Sequence, residues 1–465
     1  MDAKTPTSPH NSSSSKTLFH AGSLSYTRTG VIMLSFWLLW GYFIYALMER
    51  VIPTLLPLIL KQHHATNVQV SFITTSLNVI GNMVFNPIVS FASDRYRSPL
   101  GRRRPYILWT TPLVMLFLGL IPFGPEIAAW LQTIPAINSV LSLSPIVPSL
   151  LIISVFVMGF QIFDTFIGAV YYYLVRDVVP EEVYGRFMGV FRLVGALAPL
   201  VYNLFVFGHA EQHMKLIFVV ISVIYGIGIY AMCWRVKEGD FPPPEKLRGD
   251  VSNPWRRLIA AVRTYLADCF THPIYWFFFL AMGMMTWGTA AGVFAVLFQR
   301  DELGINLATQ GKLGAAGNIV VLIFALPLGY LVDKLNSFRI VQVCVLPSGI
   351  TTGLGWFFIQ GVPSLFAFTL TLSAISIGSM LAINKVMLRL IPKEKYGQFG
   401  SANSAFSSLG MVLMSILAAK FVDAIGSYRA YLLWSSMFVM GATPFFILCE
   451  RMWLKLGGAK SYKAP

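Results

Sequence analysis

Charge is what this sequence has least of. Only 12% of its 465 residues are Asp, Glu, Lys or Arg, where a soluble globular chain carries about a quarter. With 56% hydrophobic residues and a mean hydropathy of +0.66, a water-soluble domain is excluded and an integral membrane protein is expected. Catalytic signatures are missing too. There is no nucleotide-binding glycine loop ending in Lys-Ser or Lys-Thr, no His-Glu-x-x-His and no Gly-x-Ser-x-Gly, so neither an enzyme nor ATP-driven work is expected, and no cofactor. The four cysteines, Cys233, Cys269, Cys344 and Cys449, lie far apart, which points to no disulfide framework and no metal site. The first residues hold the polar run Ser12 to Ser15 and no short apolar core after a positive charge, so a polar tail is expected there in place of a signal peptide.

What the chain has instead is long apolar runs. A bilayer core about 30 Å thick needs roughly 20 apolar helical residues to cross it. Twelve runs fit, at about 30–60, 68–92, 106–126, 148–175, 187–208, 216–234, 273–297, 313–332, 340–360, 364–388, 399–419 and 431–449. Both tails and the alternate loops that share their side carry 26 of the 35 Lys and Arg, against six on the other side. By the positive-inside rule both termini are expected in the cytoplasm. The net charge of +15 is thereby a topology signal, and nucleic acid is not an expected partner.

The chain also repeats itself. "PEEVYGRF" at 180–187 returns as "PKEKYGQF" at 392–399, and "PIVSFASDR" at 87–95 is echoed by "PLGYLVDK" at 327–334. Each pair falls at the same place in a six-span half. The expected fold is therefore an all-α integral membrane protein with twelve transmembrane helices in two six-helix pseudo-repeat bundles, an architecture of secondary transporters. Its expected parts are a tail over 1–29, a bundle over 30–234, a charged Pro-rich linker over 235–272, a second bundle over 273–450 and a tail over 451–465. Trp255 to Phe270 in the linker has the pattern of a surface helix.

A charge at the bilayer centre costs about 2.5–3.5 kcal/mol, so intramembrane charges are functional candidates. Spans three, six, nine and twelve have none in their interiors. Asp164 of span four lies about 24 Å of helix from Pro180 and cannot reach water at that end; Gln161 and Gly168 share its face. A carboxylate so placed can take up and release a proton as a cavity changes sides, while the simpler alternative is a carboxylate locked to a neighbouring helix. Glu49 and Arg50 of span one point about 100° apart and cannot pair with each other. Tyr45 shares the face of Glu49, and Arg50 is the expected partner of Asp164. Pro53 and Pro57 should loosen the outer part of this span. Arg192 and Lys385 lie near span ends where long side chains reach water, but Asn384 beside Lys385 keeps that position a candidate. Trp40, Tyr45, Trp287 and Trp356 are deep enough to stack on a ligand, although packing explains any one of them as well.

One basic knot stands out, "SDRYRSPLGRRRPYI" at 93–107, which topology alone accounts for in part. Twelve spans in two halves, with this loop between spans two and three, resemble the major facilitator superfamily. That resemblance implies a charge latch formed by Asp94, Arg95, Gly101, Arg102, Arg103 and Arg104, with Asp333 and Lys334 as a reduced copy. The loop is further similar to that of the sucrose–proton symporters and their animal relatives. "GFQIFD" at 159–164 resembles their Gly-Phe-x-x-x-Asp, in which the aspartate couples the proton; that role carries over to Asp164. Beyond it, "TFIGAVYYYLVRDVVP" departs from the polar stretch of the plant symporters. The resemblance implies a monomeric cell-membrane symporter of protons with a sugar or glycoside. Asp164 and Glu49 would handle the proton, and Arg50, Tyr45, Gln161, Trp287, Asn384, Lys385 and Arg192 would surround the substrate. The alternatives are a carrier of the same fold for another solute, such as an organic anion held by Arg50 with Arg192 or Lys385, and a sensor that does not transport.

Overall fold

The computed structural model describes residues 19–142, 146–239, 269–392 and 395–462; the linker residues 240–268, with most of the expected surface helix, lie outside them. Eleven segments are long and apolar enough to cross a membrane, and one of them, Glu181–Arg235, is 55 residues long. It bends through a single 3-10 turn, Phe207–His209, between Glu181–Phe205 and Ala210–Arg235. The segments therefore make twelve crossings, as the hydropathy pattern predicts. The expected tail departs in one respect: Phe19–Ala21 pairs antiparallel with Leu24–Tyr26 in a short hairpin.

Several spans are broken where the sequence forbids a regular helix. Span one runs as Arg28–Met48 and Val51–Gln62, with the break at Glu49 and Arg50. Pro53 has no N–H for the Glu49 carbonyl and its ring crowds that oxygen. One residue on, Thr54 Oγ1 donates to the Arg50 carbonyl at 2.6 Å. Span two begins with Asn67–Ser71, capped by Thr66 and Gln69, passes through a π turn at Phe72–Ser76 and continues as Leu77–Arg95. Span seven, Pro273–Gly288, gives way to a 3-10 stretch over Thr289–Phe294. Irregular turns inside helices often mark functional positions.

Close approach between spans follows small residues, as is general in membrane bundles. Gly41 of span one faces Met232 of span six, and Gly228 of span six faces Ile44. Across the halves, span five meets span eight, Leu307–Lys334, where the Asn203 carbonyl lies against Gly311 and its amide against Gly314. A side chain at Gly311 would put Cβ 2.3 Å from that carbonyl oxygen. Among the described residues, the hydrogen bonds that cross between the halves all lie at the end of the bundle away from the arginine knot. Asn67 Nδ2 donates to Asp423 Oδ1 at 2.5 Å, Ser76 Oγ meets Ser415 Oγ at 2.6 Å, and the Leu307 N–H donates to Glu211 at 2.8 Å. Towards the knot, Gly81, Gly185, Gly189 and Gly329 each have open space beside them. The halves are joined at the far face.

Candidate functional site

Just beneath the seal is a cavity of about 390 Å³, lined by Glu49, Ile52 and Pro53 of span one, Thr74, Thr75, Asn78 and Val79 of span two, Phe160 and Asp164 of span four, and Thr289, Gly292 and Val293 of span seven. Three of its walls are the irregular turns just described. Glu49 lines it beside the break in span one, the π turn presents two threonines, and the 3-10 stretch of span seven lines it as well. Among the described residues that line it, none is basic.

Both expected proton carriers meet here. Tyr45, buried on span one, donates to Glu49 Oε1 at 3.2 Å, and its hydroxyl also lies against Gly168, one turn beyond Asp164. Asp164 lines the cavity while its Oδ1 is buried without a hydrogen-bond partner. Gln161, 2% exposed, has neither amide atom paired. The expected pair between Arg50 and Asp164 is absent: Glu49, about 100° round the helix from Arg50, is the one that faces the cavity. Arg50 lies instead within electrostatic range of Tyr42, Glu49 and Tyr202.

The other candidates disperse. Lys385 Nζ donates to the Val332 carbonyl at 2.7 Å, close to the C-terminal end of span eight, where a cation suits both the free carbonyls and the helix dipole. Arg192 is exposed on span five, and Asn384 is exposed on span ten. Trp287 is held by packing, with Nε1 donating to the Ser407 carbonyl at 3.0 Å and its ring beside Gly410 and Phe406. Of the cysteines, Cys233, Cys269 and Cys449 are buried and none of the four is in a disulfide.

The arginine knot is anchored within its own half. Arg102 makes a bidentate pair with Asp177 at 2.7 and 3.0 Å, and Arg103, 4% exposed, reaches Asp177 at 3.3 Å and Ser93 at 2.5 Å. Glu238 accepts from the backbone N–H groups of Arg102, Arg103 and Arg104 at 2.8, 3.0 and 2.6 Å, capping the start of span three. Gly101 has φ of +102°, and a Cβ there would strike Glu238. The side chains of Asp94, Arg95 and Asp333 lie outside the described residues, and Lys334 stands over the Tyr330 ring. Asp177 and Glu238 escape a reading that follows basic residues alone; the signal for them is the need of five arginines for counter-charge. Their counterparts in the second half are Arg389, bonded to Ser337, and Glu450, which accepts from Asn336 and Gln342. Residues 177 and 389, and 238 and 450, are separated by the same interval as the two repeated octamers.

The family model described as Major Facilitator Superfamily matches residues 38–346 and 277–461. The chain belongs to the Major Facilitator Superfamily. It is 27% identical over 178 residues to YwtG of Bacillus subtilis (strain 168), whose name assigns it to metabolite transport; the match covers 38% of this chain and 37% of that protein, little more than a third of either. Solved structures share the fold over nearly their whole length. A bacterial homologue of the human lysosomal transporter Spinster, inward-facing and unoccupied, superposes with a TM-score of 0.66 at 13% identity, covering 92% of this chain and 99% of that one. A D-xylose–proton symporter gives 0.65 at 12% identity, with coverage of 90% and 97%. A bacterial homologue of the iron transporter ferroportin gives 0.62 at 16% identity, with coverage of 90% and 98%. At these identities the likeness speaks for the major facilitator fold alone.

Proposed function

We propose that this member of the superfamily is a proton-coupled symporter of a sugar or glycoside, working by alternating access. The observation that carries the proposal is one cavity lined by Glu49 and Asp164 among hydroxyl and amide groups, with no cation among the described lining residues. Threonine and asparagine side chains donate and accept in a pattern that suits a hydroxyl-rich neutral solute. Two carboxylates lining one cavity disfavour both being ionised, and closing the cavity strips their water. A dry unpaired charge costs several kcal/mol, so the carrier crosses between its two faces with the carboxylates protonated and with substrate filling the space. Release of both follows when the cavity opens to the other side.

The basic bias puts the knot face in the cytoplasm, so the far-face seal lies on the outer side; the protein acts in a cell membrane, as a monomer. Asp94 with the arginines of the loop forms the latch that favours the opposite, outward-open state. Arg102 and Arg103 stay with Asp177 when the knot face parts. An organic-anion carrier is less well supported, because Lys385 is spent on the end of span eight and no second cation meets it in the cavity. Purified protein in vesicles, offered radiolabelled sucrose and a panel of disaccharides under an inward proton gradient, should accumulate at least one sugar. Uptake of dicarboxylates with no uptake of any sugar would favour the anion carrier instead.

A further inference from the structure

Span two carries a row of amides that the cavity does not use up. Asn78, Asn82 and Asn86 follow one another at four-residue intervals, starting in the cavity wall and descending about 12 Å towards the knot face. Asn82 Nδ2 donates to Asn78 Oδ1 at 2.8 Å, and Asn86 Nδ2 donates to Asn82 Oδ1 at a long 3.4 Å. Thr165 Oγ1, one residue past Asp164, joins Asn82 Oδ1 at 3.2 Å. Asparagines inside membranes usually bind one helix to another. Here only the Thr165 bond leaves the span; the others run along span two itself. Both ends of the row stay open among the described residues, with Asn78 Nδ2 at the cavity and Asn86 Oδ1 at the lower end. All three asparagines are partly exposed. Among the described residues Asn78 and Asn86 hold no second helix, and the open Nδ2 of the one and Oδ1 of the other can meet a polar visitor.

We propose that Asn82 and Asn86, the former steadied by the buried Thr165, form a second, weaker subsite for a hydroxyl-rich solute, occupied between the cavity and the knot face. It rests on the sugar proposal and extends it. A bidentate amide offers a donor and an acceptor to neighbouring sugar hydroxyls. The self-bonded row can exchange its bonds for solute bonds one at a time, so a solute moves down without the amides ever being left bare. The same device keeps this subsite weak, since each bond gained to the solute replaces one already made.

The test uses two single-cysteine substitutions in the full-length chain, with the partly exposed Cys344 changed to Ser: Thr75→Cys in the cavity and Asn86→Cys at the foot of the row. Modification by a charged, membrane-impermeant thiol reagent from the knot face is followed against increasing concentrations of the sugar transported best in the panel. Protection is expected in both variants, with half-protection of Asn86→Cys needing at least several-fold more sugar than that of Thr75→Cys. Equal midpoints would mean one binding event that closes the molecule over both positions, and the second subsite would be withdrawn. Protection of the cavity position with none at the foot of the row also overturns it and leaves the sugar proposal standing. Protection of neither variant by any sugar removes the sugar proposal, and the subsite with it.

Discussion

Glu211 offers the cleanest handle on the equilibrium between the two faces. It belongs to the start of span six and accepts the N–H of Leu307, the first residue of span eight, at 2.8 Å. This bond joins the halves and exists only while the far face is sealed. A hydrogen bond to a charged group is worth about 1.5–3 kcal/mol, and the start of a helix adds attraction for a carboxylate. Exposure of Glu211 to solvent reduces that, so about 1–2 kcal/mol is a fair figure. Glu211→Ala should therefore shift the balance towards the far-face-open state by roughly 5- to 30-fold. Ser76→Ala removes a neutral hydroxyl pair, worth about 0.5–1.5 kcal/mol, and should shift it less. Nitroxides at the exposed positions Gln132 and Gln360, one in each half at the far face, report the separation directly. A longer-distance population should grow in Glu211→Ala and grow less in Ser76→Ala. An unchanged distance distribution in Glu211→Ala would show that this contact does not hold the seal, and the sealing would have to rest on the glycine contacts of spans five and eight.

Three further outcomes follow from the same geometry. Asp177→Asn strips two arginines of their shared, largely buried partner, and partly buried pairs broken on one side cost about 2–4 kcal/mol; thermal unfolding in detergent should fall by several degrees, and an unchanged midpoint would remove the anchor. Gly101→Ala meets both a left-handed backbone and the Glu238 carboxylate, so it should cost about 1–3 kcal/mol and loosen the start of span three, as read by proteolysis of the loop after Arg97. Lys385→Met should lower stability while leaving the apparent affinity for the transported sugar within about twofold, because its ammonium serves a helix end; a large loss of affinity would return Lys385 to the substrate site.

The carboxylates, the twelve spans and the internal repeat are legible in the sequence for one reason. Each is a break in, or a periodicity of, hydropathy, and the bilayer punishes every unexplained polar residue. Asp164 is found by depth alone, and the proline pair of span one announces the break beside Glu49. What sequence spacing leaves open is which neighbour a side chain meets. Arg50 looks like the counter-charge of Asp164 until the structure shows Glu49, about 100° round the helix, on the cavity side. Lys385 looks like a ligand for substrate until the end of span eight arrives beside it. Asn78, Asn82 and Asn86 escape a search for charges because amides are neutral, although their four-residue spacing puts them on one side of the helix. The far-face bonds of Asn67, Ser76 and Glu211 depend on how one half docks on the other, which no local pattern encodes.

Coupling through Asp164 is the central claim, and substrate-induced proton uptake tests it most directly. Reconstituted vesicles carrying a pH indicator should acidify inside on addition of sugar with the native chain, and to a reduced extent with Asp164→Glu. With Asp164→Asn, sugar exchange down its own gradient should survive while proton movement stops, since an amide cannot cycle between charged and neutral forms. Proton movement that persists with sugar in Asp164→Asn would contradict the claim, leaving Asp164 as a structural carboxylate and Glu49 as the group to test next.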